Sequence, residues 1–362
     1  MKEKTRGYVY ALKGLAILGV TMVHSGGHSL PGILGMIGTE GARGAQLFFV
    51  ISGIHAFQSL RDYLDDKKVT FKGILGWYYR RLIRLAPLYY VALFISMVTE
   101  SWSVYWLGNE GHVTAGNIVA HIFFLHGLFP HYSDSILAVE WYLGVLWIFL
   151  LITPLLFCLI NSLERSILFF IVVFTINPLI KLTIVNLLPM DTDPPIYSAF
   201  INVFCPNNQL LVYSLGIVAY FTIGRLKNRE IKNRKLLSAA LLFFGLTLIY
   251  GQITGVNSLF CFSHQEMFGL FFFVIAISQA IYAFKIIDNP IFRTLGKYSY
   301  GMFLFQFIWL NFYDRKIHYS GPFAWTIKYI ISVIVLLTTS IVMHRLVERP
   351  AYKVLKAERY SE

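Results

Sequence analysis

The sequence predicts an all-α polytopic membrane protein, and three observations support this fold class. Of its 362 residues, 56% are hydrophobic and 14% are charged, and the mean hydropathy is +0.61, so the chain has more apolar surface than a soluble domain of this size needs. The apolar residues form separate runs, most of them near the length of about 20 residues that spans a bilayer. Lys and Arg concentrate in alternate loops between these runs. We therefore expect one integral-membrane domain over residues 1–362, with a core at about 8–353.

Eleven apolar runs follow one another along the chain. They extend over 8–24, 44–60, 78–99, 117–129, 137–160, 166–188, 203–224, 236–253, 266–284, 296–312 and 325–346. The run at 117–129 is shorter than the roughly 20 residues that a crossing requires. We expect this run to form a short re-entrant or interfacial helix, and the other ten to cross the membrane.

The distribution of basic residues predicts the orientation. If ten runs cross and 117–129 does not, 25 of the 31 Lys and Arg lie on the side of both termini, which the positive-inside rule assigns to the cytoplasm. If 117–129 also crossed, the later basic loops would change sides and the asymmetry would be lost. The other six basic residues lie on the opposite side or within runs: Arg43, Arg315, Lys316, Lys13, Lys181 and Lys328. We therefore attribute the net charge of +12 to the basic loops that set the membrane orientation. We expect a lipid bilayer, not a nucleic acid, as the partner.

The first run, Tyr8–His24, carries two ionisable groups, Lys13 and His24. Eleven positions are close to three helical turns, so both side chains share one face, roughly 16 Å apart along the axis. Ionisable groups within a membrane are costly, and they indicate a functional site. Two other interpretations are a signal peptide and a snorkelling Lys13 beside a packed His24.

A basic cluster precedes the third run, in the segment WYYRRLIRLAP from Trp77 to Pro87. Arg81 and Arg84 are three residues apart and share a helix face. Two planar guanidinium groups suit bidentate contact with a phosphate or diphosphate. The alternative is an anchor for anionic lipid headgroups.

Glu140 begins an apolar run on the outer side and is followed by Trp141 and Tyr142, which are typical of the membrane interface. A carboxylate at the level of His24 would fix its tautomer and raise its basicity. The alternative is an interfacial Glu that faces headgroups. Earlier in the chain, the small pair Ser52 and Gly53 in LFFVISG predicts close approach of a neighbouring helix.

The histidines and cysteines do not predict a metal site. Four histidines lie close together in sequence: His112, His121, His126 and His131. On a helix the five-residue steps turn by about 140°, so the last three would not converge on one face. The three cysteines lack metal-ligand spacing, and a disulfide between Cys205 and Cys261 stays open.

Together these motifs resemble the bacterial integral-membrane acyltransferase-3 family over about residues 8–353. The motifs follow the family's order: Lys13-x10-His24, LFFVISG, Arg81-x-x-Arg84 before LAPLYY, Glu140-Trp141-Tyr142, SYGMFLF and VERP. Each motif is weak alone, and their order and placement make the resemblance specific.

The resemblance implies a bundle of ten crossing helices that moves an acyl group, commonly acetyl, from a coenzyme A thioester to a carbohydrate hydroxyl. It implies a catalytic role for His24, as general base or transient acyl carrier, with Glu140 as a second candidate. It also implies that Lys13, Arg81 and Arg84 bind the acyl-CoA donor, without a metal. The acceptor would be a cell-surface or lipid-linked carbohydrate, and the location the bacterial cytoplasmic membrane.

The chain departs from the family pattern at two positions. Lys13 stands where the family often has Arg, and Gln306 stands where it often has His. A competing class is a transporter or flippase for a glycan or small molecule, which the many crossings, Pro178 and Lys181 would fit. However, the sequence has no internal repeat and no matched pair of broken helices, as many transporters have. The acceptor, the acyl group and the oligomeric state are left open by the sequence.

Overall fold

The computed structural model describes residues 7–64, 69–103, 111–189, 192–227, 229–255, 263–317 and 323–359. Cys261 lies outside these ranges, so a disulfide between Cys205 and Cys261 also falls outside the described residues. Cys205 itself is buried.

The described ranges are almost entirely helical and contain no strand. The α-helices are α1 (Gly7–His24), α2 (Gly32–Glu40), α3 (Gly44–Leu64), α4 (Phe71–Thr99), α5 (Ala115–Ile122), α6 (Trp141–Leu159), α7 (Leu163–Leu187), α8 (Pro194–Ala199), α9 (Pro206–Lys227), α10 (Arg234–Ile253), α11 (His264–Ile281), α12 (Pro290–Lys316), α13 (Ala324–Met343) and α14 (Arg349–Arg359). Short 3₁₀ and π segments join several of them.

Eight helical stretches in the described ranges are long and apolar enough to cross a membrane. The chain is therefore an all-α polytopic membrane protein, as the sequence predicted. Two further predicted spans, α3 and α12, are helices of 21 and 27 residues, which is long enough to cross. The predicted short helix is α5, whose eight residues reach only about 12 Å.

Two helices begin earlier than the sequence predicted. We expected spans from residues 78 and 296, whereas α4 begins at Phe71 and α12 at Pro290. The Thr70 hydroxyl accepts a hydrogen bond from the Gly73 N–H, 3.1 Å away, and so caps α4. Hydropathy did not reveal these extensions because both carry basic residues beyond the apolar run.

The chain divides into two compact units. The first contains Met1–Gln58, Leu155–Leu188 and Pro206–Lys297, and the second contains Ser59–Pro154, Pro189–Cys205 and Tyr298–Glu362. Helices α3, α6 and α12 contribute residues to both.

In the first unit, α1 and the start of α12 touch through two glycines. A Cβ at Gly296 would lie 1.7 Å from the Tyr10 carbonyl oxygen, and one at Gly14 would lie 2.1 Å from that of Phe292. These separations are far below van der Waals contact, so only glycine permits this approach. The contact fixes α1, which carries Lys13 and His24.

A second glycine contact in this unit joins α3 to α9. A Cβ at Gly53 would lie 2.5 Å from the carbonyl oxygen of Tyr213, and one at Gly216 would lie 2.3 Å from that of Val50. The close approach predicted from LFFVISG is therefore confirmed at Gly53. Buried amides add polar links, since Gln46 donates to Gln209 at 3.1 Å.

In the second unit, α4 is tied to its neighbours by side chains that bond to backbone carbonyls. The Ser96 hydroxyl donates to the Ile136 carbonyl at 2.7 Å, and the Tyr300 hydroxyl of α12 donates to that of Leu85 at 2.7 Å. These bonds join α4 to α12 and to the segment that precedes α6.

Candidate active site

His24 is the last residue of α1, and the sequence around it ends the helix sharply. Gly26 has a φ of 93°, the left-handed conformation that glycine adopts without strain at a helix C-terminus. The Ser25 hydroxyl donates to the Thr21 carbonyl at 2.7 Å. The turn places the half-buried imidazole of His24 at the end of an apolar helix.

Lys13 lies in the first half of α1, against a histidine that the sequence analysis did not select. Its Nζ is 3.5 Å from Nδ1 of His55 on α3. An ammonium only donates, so His55 accepts through Nδ1. His55 follows LFFVISG by one residue, Ile54, and this proximity was the available signal.

Arg81 is held by α3 and by the preceding turn of its own helix. Its guanidinium donates to the Ser59 hydroxyl, and its Cζ lies 5.2 Å from the centre of the Trp77 ring. The Trp77 Nε1–H donates to the same hydroxyl at 3.1 Å. Stacking and hydrogen bonding fix the plane of the guanidinium, as recognition of a phosphate requires. Ser59 and Trp77 were not predicted for this role.

Arg84 differs from Arg81 in its surroundings. Its side chain is exposed and forms no hydrogen bond or ion pair with a residue in the described ranges. It is on the turn of α4 that follows Arg81.

Glu140 is fully buried, and its carboxylate organises the segment that precedes α6. It accepts backbone N–H bonds from Ile136 at 2.6 Å, Leu137 at 3.0 Å and Val139 at 3.1 Å. Such bonds compensate for the loss of hydration of a buried carboxylate. Glu140 therefore holds a non-helical loop in one shape.

Two histidines complete the surroundings of Glu140. The rings of His121 and His126 are stacked, with centroids 4.3 Å apart and planes 9° apart. Nε2 of His121 is 3.4 Å from the Glu140 carboxylate, and the Nε2–H of His126 donates to the Glu140 carbonyl at 2.9 Å. The expectation that these histidines do not converge assumed one helix through residues 117–129. In the structure α5 ends at Ile122, and the turn after it brings the two rings together.

His121 has a polar partner within reach of each ring nitrogen. Its Nδ1 is 2.8 Å from the Asn117 carbonyl oxygen, and its Nε2 faces the carboxylate of Glu140. The two contacts hold the imidazole ring between α5 and the loop before α6.

Burial and local charge shift the pKa values around this loop in different directions. Burial alone would raise the pKa of Glu140. The hydrogen bond and charge of His121, together with the loop N–H groups, outweigh burial and lower the pKa of Glu140 from its ordinary value of 4.5. Burial and the neighbouring His121 lower the pKa of His126 to about 3. Burial and the charge of Glu140 raise the pKa of Asp134 well above 3.8. His126 is therefore neutral near pH 7.

The predicted site residues divide between the two units. Lys13 and His24 belong to the first, and Arg81, Arg84 and Glu140 to the second. Within each unit the structure brings Lys13 to His55, Arg81 to Ser59 and Trp77, and Glu140 to His121 and His126. The action of Glu140 on His24 stays a prediction.

Two further observations concern Gln306 and metals. Gln306 is fully buried, and its amide forms no hydrogen bond with any residue that the structure describes. Within the same ranges, no group of three or more His, Cys, Asp or Glu side chains could hold a metal ion.

The fold and these buried ionisable groups define a multi-span membrane protein with polar groups inside its helical bundle. A family model described as an acyltransferase domain matches residues 6–345. The chain therefore belongs to the acyltransferase 3 family and is a membrane enzyme that transfers acyl groups. No curated protein and no solved structure matches the chain significantly. Family membership argues against the transporter alternative, which lacks acyl-transfer chemistry.

Proposed function

We propose that this protein transfers an acyl group, in the simplest case acetyl, from a coenzyme A thioester to a carbohydrate hydroxyl. The observation that carries the proposal is the arrangement on α1, where an apolar helix of an acyltransferase carries Lys13 in its first half and His24 as its last residue. An imidazole beside a thioester can activate a hydroxyl, which is the chemistry that acyl transfer needs.

The donor is bound through its phosphates by Arg81 and Arg84, with Lys13 as a further cation. Support for Arg81 comes from its fixed guanidinium plane against Trp77 and Ser59. Support for Arg84 comes from its exposure and from the lack of a competing partner among the described residues. Phosphate oxygens prefer donors arranged in this way.

His24 performs the chemistry in one of two ways. As general base, it takes the proton of the acceptor hydroxyl while the oxygen attacks the thioester carbonyl, and the coenzyme A thiolate leaves and is protonated. As nucleophile, it first takes the acyl group and releases the thiol, then passes the acyl group to the hydroxyl. Both routes need one unprotonated ring nitrogen of His24.

Glu140 supports the site by holding the loop before α6. The three N–H bonds to its carboxylate and its pairing with His121 favour a positioning role over direct proton transfer. The proposed location is the bacterial cytoplasmic membrane with both termini in the cytoplasm, so that the donor comes from the cytoplasmic side. The acceptor is a cell-surface or lipid-linked carbohydrate.

The test replaces His24 by Ala in the purified full-length protein. We expect transfer of a labelled acetyl group from acetyl-CoA to a glycan acceptor to fall by about 10²- to 10⁴-fold, the usual contribution of a general base. Binding of coenzyme A should be unchanged, because the phosphate-binding residues remain.

The matched control is His28→Ala, which removes an exposed imidazole from the turn after α1 and should retain full activity. Transfer by His24→Ala at the wild-type rate, with the protein correctly inserted, would exclude His24 from the mechanism.

A further inference from the structure

A groove lies in the second unit between α4, α12 and α13, and none of the candidate active-site residues lines it. Its volume is about 740 Å³, within the range of about 300–1,000 Å³ that ligand sites occupy. It extends along the helix axes and is lined mainly by hydrocarbon and aromatic groups.

The two long walls of the groove are rows of side chains at helical spacing. On α12 the row contains Phe305, Ile308 and Phe312, and on α13 it contains Val335 and Thr339. Residues three and four apart lie above one another on a helix, so each row forms a continuous strip, which is apolar apart from the Thr339 hydroxyl. A groove of this shape fits an extended hydrocarbon chain and offers little to a polar molecule.

The walls are held together by specific contacts. The Trp309 Nε1–H of α12 donates to the Ser332 hydroxyl of α13 at 2.9 Å. A Cβ at Gly301 would lie 2.8 Å from the Ser340 hydroxyl, so the helices also touch closely nearer the start of α12. The groove is therefore bounded by fixed helices.

Two cations, Arg315 and Lys316, lie at one end of the groove, in the last turn of α12. Arg315 forms an ion pair with Glu100 and donates to the Asn311 carbonyl at 3.1 Å, which fixes its guanidinium. Lys316 is exposed and forms no hydrogen bond or ion pair with a residue in the described ranges. The cluster therefore retains a net positive charge for an anion.

The placement of these cations is unusual for this chain. In the proposed topology Arg315, Lys316 and Arg43 are the basic residues on the outer side, and Arg43 pairs with Glu40 at 3.2 Å. The helix dipole favours cations at a helix C-terminus. It does not explain why an apolar groove lies beside these two cations.

We propose that this groove binds a long-chain lipid with a phosphate group, and that this lipid carries the carbohydrate acceptor. The hydrocarbon chain lies between α12 and α13, and the phosphate contacts Lys316 and Arg315. A neutral apolar partner would leave the two cations without a counter-charge. A soluble sugar would make no favourable contact with the apolar walls. The second part of the proposal rests on the proposed function, whereas the binding itself does not.

The first experiment measures binding in neutral detergent with a fluorescent long-chain isoprenoid phosphate and the corresponding isoprenoid alcohol. We expect the wild-type protein to bind the phosphate at least about tenfold more tightly, since a charge-assisted contact is lost in the alcohol. Lys316→Gln should reduce this preference, and the double variant Arg315→Gln with Lys316→Gln should abolish it. Thr339→Trp should weaken binding of both probes by filling the groove.

The control is Lys328→Gln, which removes a cation from the same end of the unit. The Lys328 ammonium is already paired with Asp314 at 2.6 Å, so the preference should change by less than about twofold. Equal binding of the two wild-type probes would overturn the proposal. An unchanged preference in Lys316→Gln and in the double variant would also overturn it. Displacement by phosphatidylglycerol at concentrations equal to that of the probe would overturn the assignment of the bound lipid as the carrier of the acceptor.

The second experiment compares acyl transfer to a sugar joined to the isoprenoid phosphate with transfer to the same free sugar. We expect the wild-type protein to prefer the lipid-linked sugar at least about tenfold in kcat/KM, and Thr339→Trp to lose this preference while keeping its rate on the free sugar. Equal use of both acceptors would overturn the lipid-linked assignment. If neither sugar is acylated, the proposed function fails while the binding result still decides whether the groove holds a lipid phosphate.

Discussion

At the scale of single residues, two adjacent arginines of α4 show how sequence neighbours acquire different surroundings. Arg81 stacks on Trp77 and donates to Ser59, whereas Arg80, the residue before it, lies over the Tyr63 ring at 4.6 Å. Both carry the same charge at nearly the same depth. Substituting each arginine in turn therefore separates the effect of position on coenzyme A binding from the effect of charge.

We predict that Arg81→Lys lowers the affinity for coenzyme A by about tenfold, although it retains the positive charge. An ammonium cannot reproduce the planar, bidentate contact of a guanidinium with phosphate. Isothermal titration or a competition assay with labelled coenzyme A measures the effect. Arg80→Lys is the control and should change the affinity less than twofold; equal effects of the two substitutions would reduce the role of Arg81 to its charge.

A second prediction at this scale concerns the acid stability of the loop around Glu140. Because burial lowers the pKa of His126 from 6.5 to about 3, the unfolded chain binds this proton below pH 6.5 while the folded protein does not. The contribution of the neutral, buried His126 to the free energy of unfolding is thus complete above pH 6.5. It is lost as the pH falls towards 3, by up to about 1.36 kcal/mol per pH unit. Asp134, whose pKa is raised, has the opposite effect.

We predict that His126→Gln destabilises the protein at pH 7 and that this penalty shrinks as the pH falls to 5. The amide can still donate to the Glu140 carbonyl, and it does not titrate. Comparing the Tm of the wild type and the variant in detergent at pH 7, 6 and 5 isolates His126, because Asp134 is present in both. His112→Gln, at an exposed position, should show no trend, and a constant penalty for His126→Gln would contradict the pKa shift.

At the scale of helices, the contact between α1 and α12 positions Lys13 and His24. Gly14 and Gly296 let the two backbones touch, and a methyl group at either would overlap a carbonyl oxygen. The helices must separate or rotate to accept it, since packed interiors have little free volume. Either movement displaces both ionisable groups of α1 together.

We predict that Gly296→Ala destabilises the protein by about 1–3 kcal/mol, the usual cost of overpacking, and lowers the rate of acyl transfer. Thermal unfolding and the acetyl-CoA transfer assay measure the two effects. Gly224→Ala on α9 is the control, because no atom lies within 4 Å of its Cβ position and Ala favours a helix more than Gly does. Equal stability of the two variants would show that α1 and α12 tolerate a wider separation.

At the scale of the whole molecule, the distribution of basic residues predicts which loops face the cytoplasm. The loop after α9 contains Arg229 and Lys232, whereas residues 111–114 contain neither Lys nor Arg. Both segments are exposed at least in part. They are therefore suitable places for a chemical test of orientation.

We predict that a single cysteine introduced as Glu230→Cys reacts with a membrane-impermeant maleimide only after the cells are permeabilised. A cysteine introduced as His112→Cys should react in intact spheroplasts. The background is the protein with its three cysteines replaced by serine, after transfer activity has been verified. The reverse pattern of labelling would place both termini outside and invert the proposed entry side of the donor.

The sequence alone determined the fold class, the approximate positions of the long helices in the described ranges and the family, because these depend on local properties. Each crossing needs its own run of apolar residues, and the motifs that carry the resemblance are short and ordered along the chain. The glycine of LFFVISG predicted a close helix contact for the same reason, since close approach requires a small residue wherever the partner lies.

Only the tertiary structure decided which side chains meet. His55, Ser59 and Trp77 were not predicted as partners of Lys13 and Arg81, because contacts between helices depend on rotation and depth, which hydropathy does not specify. His121 and His126 converge on Glu140 because α5 ends at Ile122, after which a helical periodicity no longer relates the two rings. The groove beside Lys316 likewise arises where α12 and α13 meet α4, which is far from them in sequence, and no local pattern could reveal it.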